Sequence, residues 1–120
     1  MKHIVLAATA IALFVASPSY AQNFKRVTKE ADFRAIFVGK NLSFPGGTAV
    51  IHANGKTDGK LDKKGKYHGV WAWQKRFYCR NLVIGGKETG TNCQKIEIDG
   101  NTARFTRDQG KGRVSVITIN

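Results

Sequence analysis

Few side chains in this sequence could do acid–base or nucleophilic chemistry. From Gln22 onward it holds two histidines, His52 and His68, and two serines, Ser43 and Ser115. A hydrolase needs a histidine placed as base beside a nucleophile, and neither serine stands in a nucleophile elbow. His52 and His68 with Asp58 or Asp62 would supply metal-ligating atoms, but their spacing matches no metal motif. The run Asp58-Gly59-Lys60-Leu61-Asp62 has the outline of a calcium loop, yet a lysine takes a ligand position and no glutamate closes it. Gly110-Lys111-Gly112 has neither dinucleotide-binding spacing nor the context of a phosphate loop. No catalytic set, metal site or cofactor is therefore predicted.

Two other features suggest binding. The segment Tyr67-His68-Gly69-Val70-Trp71-Ala72-Trp73 puts two tryptophans two residues apart, hence on one face of a strand. Lys66, Lys75, Arg76 and Arg80 flank it. Exposed, the pair would form a stacking platform with a basic rim for sugar rings or bases; buried, it would be the core of a small barrel. Between Lys56 and Lys66 lies a lysine-rich stretch that includes Lys60, Lys63 and Lys64, interrupted by Asp58 and Asp62, and it reads as a charged hairpin tip.

The whole chain of 120 residues carries 20 Lys+Arg against 8 Asp+Glu, a net charge of +12. Its first 21 residues have the layout of a secretory signal. Lys2 and His3 precede an apolar run from Ile4 to Val15, and Ser19-Tyr20-Ala21 approximates a signal-peptidase site. That run is shorter than the roughly 20 apolar residues a membrane-crossing helix needs, and no cysteine follows the cut to take a lipid. Cleavage before Gln22 removes Lys2 and no acid, leaving one domain over residues 22–120 with a net charge of +11. A periplasmic or secreted location follows, and Cys79 and Cys93 should pair there as a structural disulfide. Closing a loop of about 15 residues is worth roughly 3 kcal/mol in the chain-entropy model.

The elements that must position these residues are mostly strands. One N-terminal helix is predicted, with Thr28 as N-cap, Glu30 and Asp32 in the first turn, and Gly39 as its stop. Phe33, Ile36 and Phe37 share its apolar face. From Leu42 onward, short β-type runs alternate with turns such as Asn54-Gly55, Asp62-Lys63-Lys64-Gly65 and Asp99-Gly100-Asn101. Seven or eight short strands in an antiparallel meander follow, either a small closed barrel or a curled open sheet. On Phe77 to Ile84, Tyr78, Arg80, Leu82 and Ile84 share one face and Phe77, Cys79, Asn81 and Val83 the other. Cys79 and Cys93, each seven residues from Gly86, should sit opposite one another across a hairpin. Leu82, Ile84, Ile96 and Ile98 are then core residues, and Lys95 and Glu97 share the disulfide face.

Tyr67-x-Gly69-x-Trp71 resembles the centre of a MORN repeat. The wider set Gly69-x-Trp71-x-Trp73, Tyr78-Cys79-Arg80, Asn92-Cys93-Gln94 and Asp99-Gly100-Asn101-x-x-Arg104-Phe105-Thr106 resembles a group of small secreted alphaproteobacterial proteins of unknown function. That resemblance covers the signal, the helix and most of the β region. Some members carry a dihydrodipicolinate reductase label, which implies a longer cytoplasmic enzyme with a nicotinamide cofactor. This chain lacks the glycine fingerprint, the length and the compartment for that activity.

Charge supplies the functional expectation. A surplus of cations steers anions and polyanions to the surface, so the chain reads as an exported, non-catalytic binding module. Its partner would be polysaccharide, lipopolysaccharide or nucleic acid, engaged through Lys60, Lys63, Lys64, Lys66, Trp71, Trp73, Lys75, Arg76 and Arg80. The alternative is an inhibitor or partner of an acidic envelope enzyme.

Overall fold

A computed structural model describes residues 22–120; the expected signal lies outside them. In chain order the elements are β1 (Lys25–Val27), α1 (Glu30–Phe37), β2 (Leu42–Phe44), β3 (Gly47–Ile51), β4 (Lys56–Leu61), β5 (Gly65–Gln74), β6 (Phe77–Ile84), β7 (Lys87–Glu88), β8 (Asn92–Asp99), β9 (Thr102–Thr106), α2 (Arg107–Gly110) and β10 (Val114–Ile119). Eight of the strands close into an antiparallel barrel in the order β2-β3-β4-β5-β6-β8-β9-β10, with β10 pairing back onto β2. The expected meander is thus a closed barrel. Every junction except β10–β2 joins strands that are close in the sequence, which keeps the pairing antiparallel.

The seam between β6 and β8 is the shortest-connected part of the long strands. Only Tyr78↔Gln94, Cys79↔Cys93 and Arg80↔Asn92 pair across it. The disulfide sits on the middle pair, with Cα atoms 3.9 Å apart, so it staples this short junction. On either side of the seam the two strands diverge, and each finds another partner. β1 pairs with β8 from Val27↔Ile96 to Lys25↔Ile98, and β7 folds back on the far end of β6. Both are additions to the expected strands, and both satisfy backbone groups that the splayed seam would leave open.

The expectation of a single helix is corrected in two ways. A second short element, α2, follows β9; its Asp108 and Gln109 have φ of 54° and 57°, so it is a contorted turn more than a helix. At α1 the N-cap is Lys29 rather than Thr28, with no side-chain cap, while Gly39 follows the C-cap Val38 with φ of 77° and ends the helix as expected. Eight residues are too few to hold a helix by themselves. Packing holds this one. Phe33 and Phe37 are fully buried and close one end of the barrel like a stopper. The Phe33 ring lies 5.0 Å from Trp73, 5.1 Å from Tyr78 and 5.5 Å from Trp71, and Phe37 meets Phe105 edge-on at 5.2 Å. Each such side chain contributes roughly 1.5–3 kcal/mol by burial, with aromatic pairs adding about 0.5–1.5 kcal/mol.

Face assignment on β5 and β6 follows the two-residue period. Tyr67 and Trp71 point inward and are buried, while His68, Val70 and Ala72 point outward and are exposed. On β8, Ile96 is fully buried and Ile98 packs against the core, with Glu97 between them on the outside. There Glu97 accepts a hydrogen bond from Arg104 at 2.8 Å.

Candidate functional site: the open end of the barrel

The end opposite α1 is not filled. A cavity of about 540 Å³ opens there, within the range of roughly 300–1,000 Å³ typical of small-molecule sites. All eight barrel strands line it, among them Leu42, Ile51, Tyr67, Gln94, Phe105 and Ile117, so it is the lumen rather than a surface groove. Eight-stranded barrels are at the width where the interior is either filled by side chains or holds one small ligand. Here α1 and its aromatic neighbours fill one half and leave the other half hollow.

The floor of the hollow is formed by residues that also touch the stopper, notably Tyr78 and Phe105. Thr57 donates to the Val50 carbonyl at 2.9 Å, and Tyr67 donates to the Thr48 carbonyl at 3.0 Å. Tyr67 reaches across β4 because Gly59 has no side chain: a Cβ there would lie 2.7 Å from the phenol Cζ. Burial pushes the Tyr67 hydroxyl up to about 12 and the Tyr78 hydroxyl, beside Thr57, higher still. Both phenols stay neutral.

At the mouth the lining changes character. Lys64, Arg80, Arg107 and Arg113 border the cavity, and its lining contains no aspartate or glutamate. Among the described residues none of these four is ion-paired to a carboxylate. Each reaches the mouth for a local reason. Lys64 sits in the β4–β5 turn. Arg80 shares the inward face of β6 with Tyr78, Leu82 and Ile84. Arg107 and Arg113 bracket the left-handed turn, where the Arg107 N–H donates to the Arg113 carbonyl at 3.0 Å and the Gly112 N–H to the Arg107 carbonyl at 2.9 Å. Asp108 in the same turn is turned to Asn92, whose side-chain amide donates to it at 2.7 Å. Burial lowers the pKa of Arg80; the Tyr78 phenol opposes that and the neighbouring Arg107 guanidinium adds to it. Arg80 is thus partly desolvated beside a cavity that Arg107 also lines, an arrangement that an anion would relieve.

The residues expected from the sequence separate to different places. Lys64 and Arg80 line the mouth. Lys60 and Lys66 face each other across the outer side of β4 and β5, and Lys63 is exposed in the turn beside them. Lys75 and Arg76 lie in the β5–β6 turn at the stopper end, nine residues from Lys66 and hence about 30 Å along the strand. The Trp strand offers no open platform. Trp71 is buried at 6 % exposure and Trp73 packs against the core, both under Phe33, and the Trp71 indole N–H donates to the His52 carbonyl at 2.8 Å. Sequence reading missed Arg107, Arg113 and the lumen side chains Tyr67 and Gln94. The available signal was the inward period of β6, which put Arg80 among apolar neighbours.

His52 and Asp58 pair at 2.7 Å on the outer wall, beside a groove of about 460 Å³ lined by residues including Lys56, His68, Val70 and Glu88. Among the described residues no three His, Cys, Asp or Glu side chains are grouped to hold a metal, and no helix is long and apolar enough to cross a membrane. Comparison with protein-family models, with curated proteins and with solved structures finds no match to this chain.

Proposed function

We propose that the protein is an exported, non-catalytic binding module whose ligand presents an anionic group to the open end of the barrel. One observation carries this reading: four cations converge on a single concavity whose lining holds no acid. A partly buried guanidinium without a counter-charge is costly, and charge-assisted hydrogen bonds from arginine to carboxylate or phosphate are among the strong ones. The net charge of +11 on residues 22–120 would also raise the local anion concentration and speed encounter. Polysaccharide, lipopolysaccharide and nucleic acid all supply such groups, and the disulfide suits an oxidising compartment where the first two are met.

The test is a tryptophan-fluorescence titration with heparin, lipopolysaccharide and a DNA oligonucleotide at low and high salt. Saturable binding that weakens steeply with salt is expected, and it should weaken further in the double variant Arg107→Gln/Arg113→Gln. A flat response to all three at low salt would remove the reading.

A further inference from the structure

We infer that the ligand is a single-chain anionic amphiphile, with its acyl chain in the lumen and its carboxylate or phosphate on Arg80, Arg107 and Arg113. This rests on the reading above and narrows it. The cations form only the outer part of the cavity. Beneath them the walls are mostly apolar, with Leu61, Leu82 and Ile84 near the mouth and Leu42, Ile51 and Ile117 deeper in, interrupted by the polar groups of Thr57, Tyr67, Gln94 and Ser115. A bare anion, a sugar or a nucleotide phosphate would satisfy the arginines and leave this apolar space to water. A neutral hydrocarbon would fill the space and leave the arginines unpaired. Only a molecule with both parts answers both surfaces.

Dimensions set the kind of chain. From Leu61 at the mouth to Thr57 near the floor is four residues of β4, about 13 Å along the strand, or about 10 Å along the barrel axis at a strand tilt near 40°. The floor itself is shut, because Tyr78 and Phe105 pack on Phe33 and Phe37. A blind lumen of this depth and about 540 Å³ suits one medium-length chain and excludes the paired chains of a phospholipid. The order of groups from mouth to floor, cations first and then alkyl side chains, also fixes the direction of entry: tail first, head last.

Isothermal titration with four probes tests this: dodecanoate, dodecyl phosphate, dodecanol and heparin. One dodecanoate or dodecyl phosphate should bind per protein, at least about tenfold more tightly than dodecanol, since the charged head adds a charge-assisted contact. Arg80→Gln should cost about tenfold for both anions and leave dodecanol unchanged. Arg113→Gln, on the exposed rim, provides a smaller loss in a variant whose folding is not in question, and Lys75→Gln at the far end should have no effect. If heparin binds and neither dodecyl anion does, the amphiphile is wrong while the anionic site stands. If dodecanol binds as tightly as dodecanoate, the arginines are not the head site and the inference fails. If no probe binds, both readings fail together.

Discussion

The two ends of the barrel use the same residue types to opposite effect. At the stopper end the aromatic rings are packed against one another and the arginine beside them is fully engaged. Arg34 pairs with Glu30 at 2.8 Å, donates to the Ala53 carbonyl at 3.0 Å and lies 4.9 Å over the Trp71 ring, strapping α1 to the β3–β4 hairpin. Arg26 lies over Phe77, and Arg104 over Phe24. At the mouth, Arg80, Arg107 and Arg113 have no acid along the cavity they border. Arg34 thus finds its partners within the chain, whereas these three border a concavity whose lining has no counter-charge. Total charge therefore says less than pairing does: the +11 of residues 22–120 is spread over both ends and the outer wall, and at the mouth it meets a concavity with no acid in its lining.

Breaking the stopper should have the largest effect. Phe33→Ala removes the ring on which Trp71, Trp73 and Tyr78 converge, and a loss of about 3–5 kcal/mol is expected in denaturant unfolding. A loss under 1 kcal/mol would mean that α1 is not the core of its end. Next comes the seam. Cys79→Ser/Cys93→Ser should cost about 2–4 kcal/mol, and amide hydrogen exchange should rise first at Tyr78, Arg80, Asn92 and Gln94, which pair beside the disulfide. Uniform acceleration across all strands would show that the seam is no weaker than the other junctions.

The lumen phenols give a pH signature. Tyrosine in the unfolded chain ionises near pH 10, whereas burial lifts Tyr67 to about 12 and Tyr78 above it. Folded pKa values above the unfolded one mean stability that is complete below pH 10 and is lost as pH rises from there through 12. Tyrosinate absorbance should therefore develop late, together with unfolding. An early rise near pH 10 in the folded protein would place these hydroxyls in water. The smallest effect compares the arginines directly. Arg34→Gln should lose up to about 1 kcal/mol, since its ion pair is exposed, while Arg113→Gln should leave stability unchanged or slightly raised because it relieves a like-charge cluster. Equal losses at both positions would erase the distinction between the two ends.

Much of the scaffold was legible in the sequence because it obeys local rules. Asn54-Gly55 and Asp99-Gly100-Asn101 turn the chain where their backbone preferences dictate, and Gly55 and Gly100 have positive φ. The alternation put Trp71 and Trp73 on one face of β5 and Tyr78, Arg80, Leu82 and Ile84 on one face of β6, and the symmetry about Gly86 gave the register Cys79↔Cys93. What stayed hidden is set by tertiary closure. Whether β10 meets β2 depends on strand tilt and shear, which no short window contains. β1 and β7 are three and two residues long and exist only because β6 and β8 part company. Lys66 and Lys75 read as one basic rim in the sequence, yet a single straight strand carries them to opposite ends. Arg107 and Arg113 had no signal in the sequence, since it is the left-handed turn at Asp108 and Gln109 between them that sets them at the cavity Arg80 lines.

Chemical-shift mapping by NMR while dodecanoate is added tests the central claim most directly. The account predicts saturable changes at Arg80, Arg107, Arg113 and the lumen amides of Leu82 and Gln94, with Lys60, Lys66, Lys75 and Arg76 unmoved. Changes confined to those four outer residues, or none at the mouth, would contradict it.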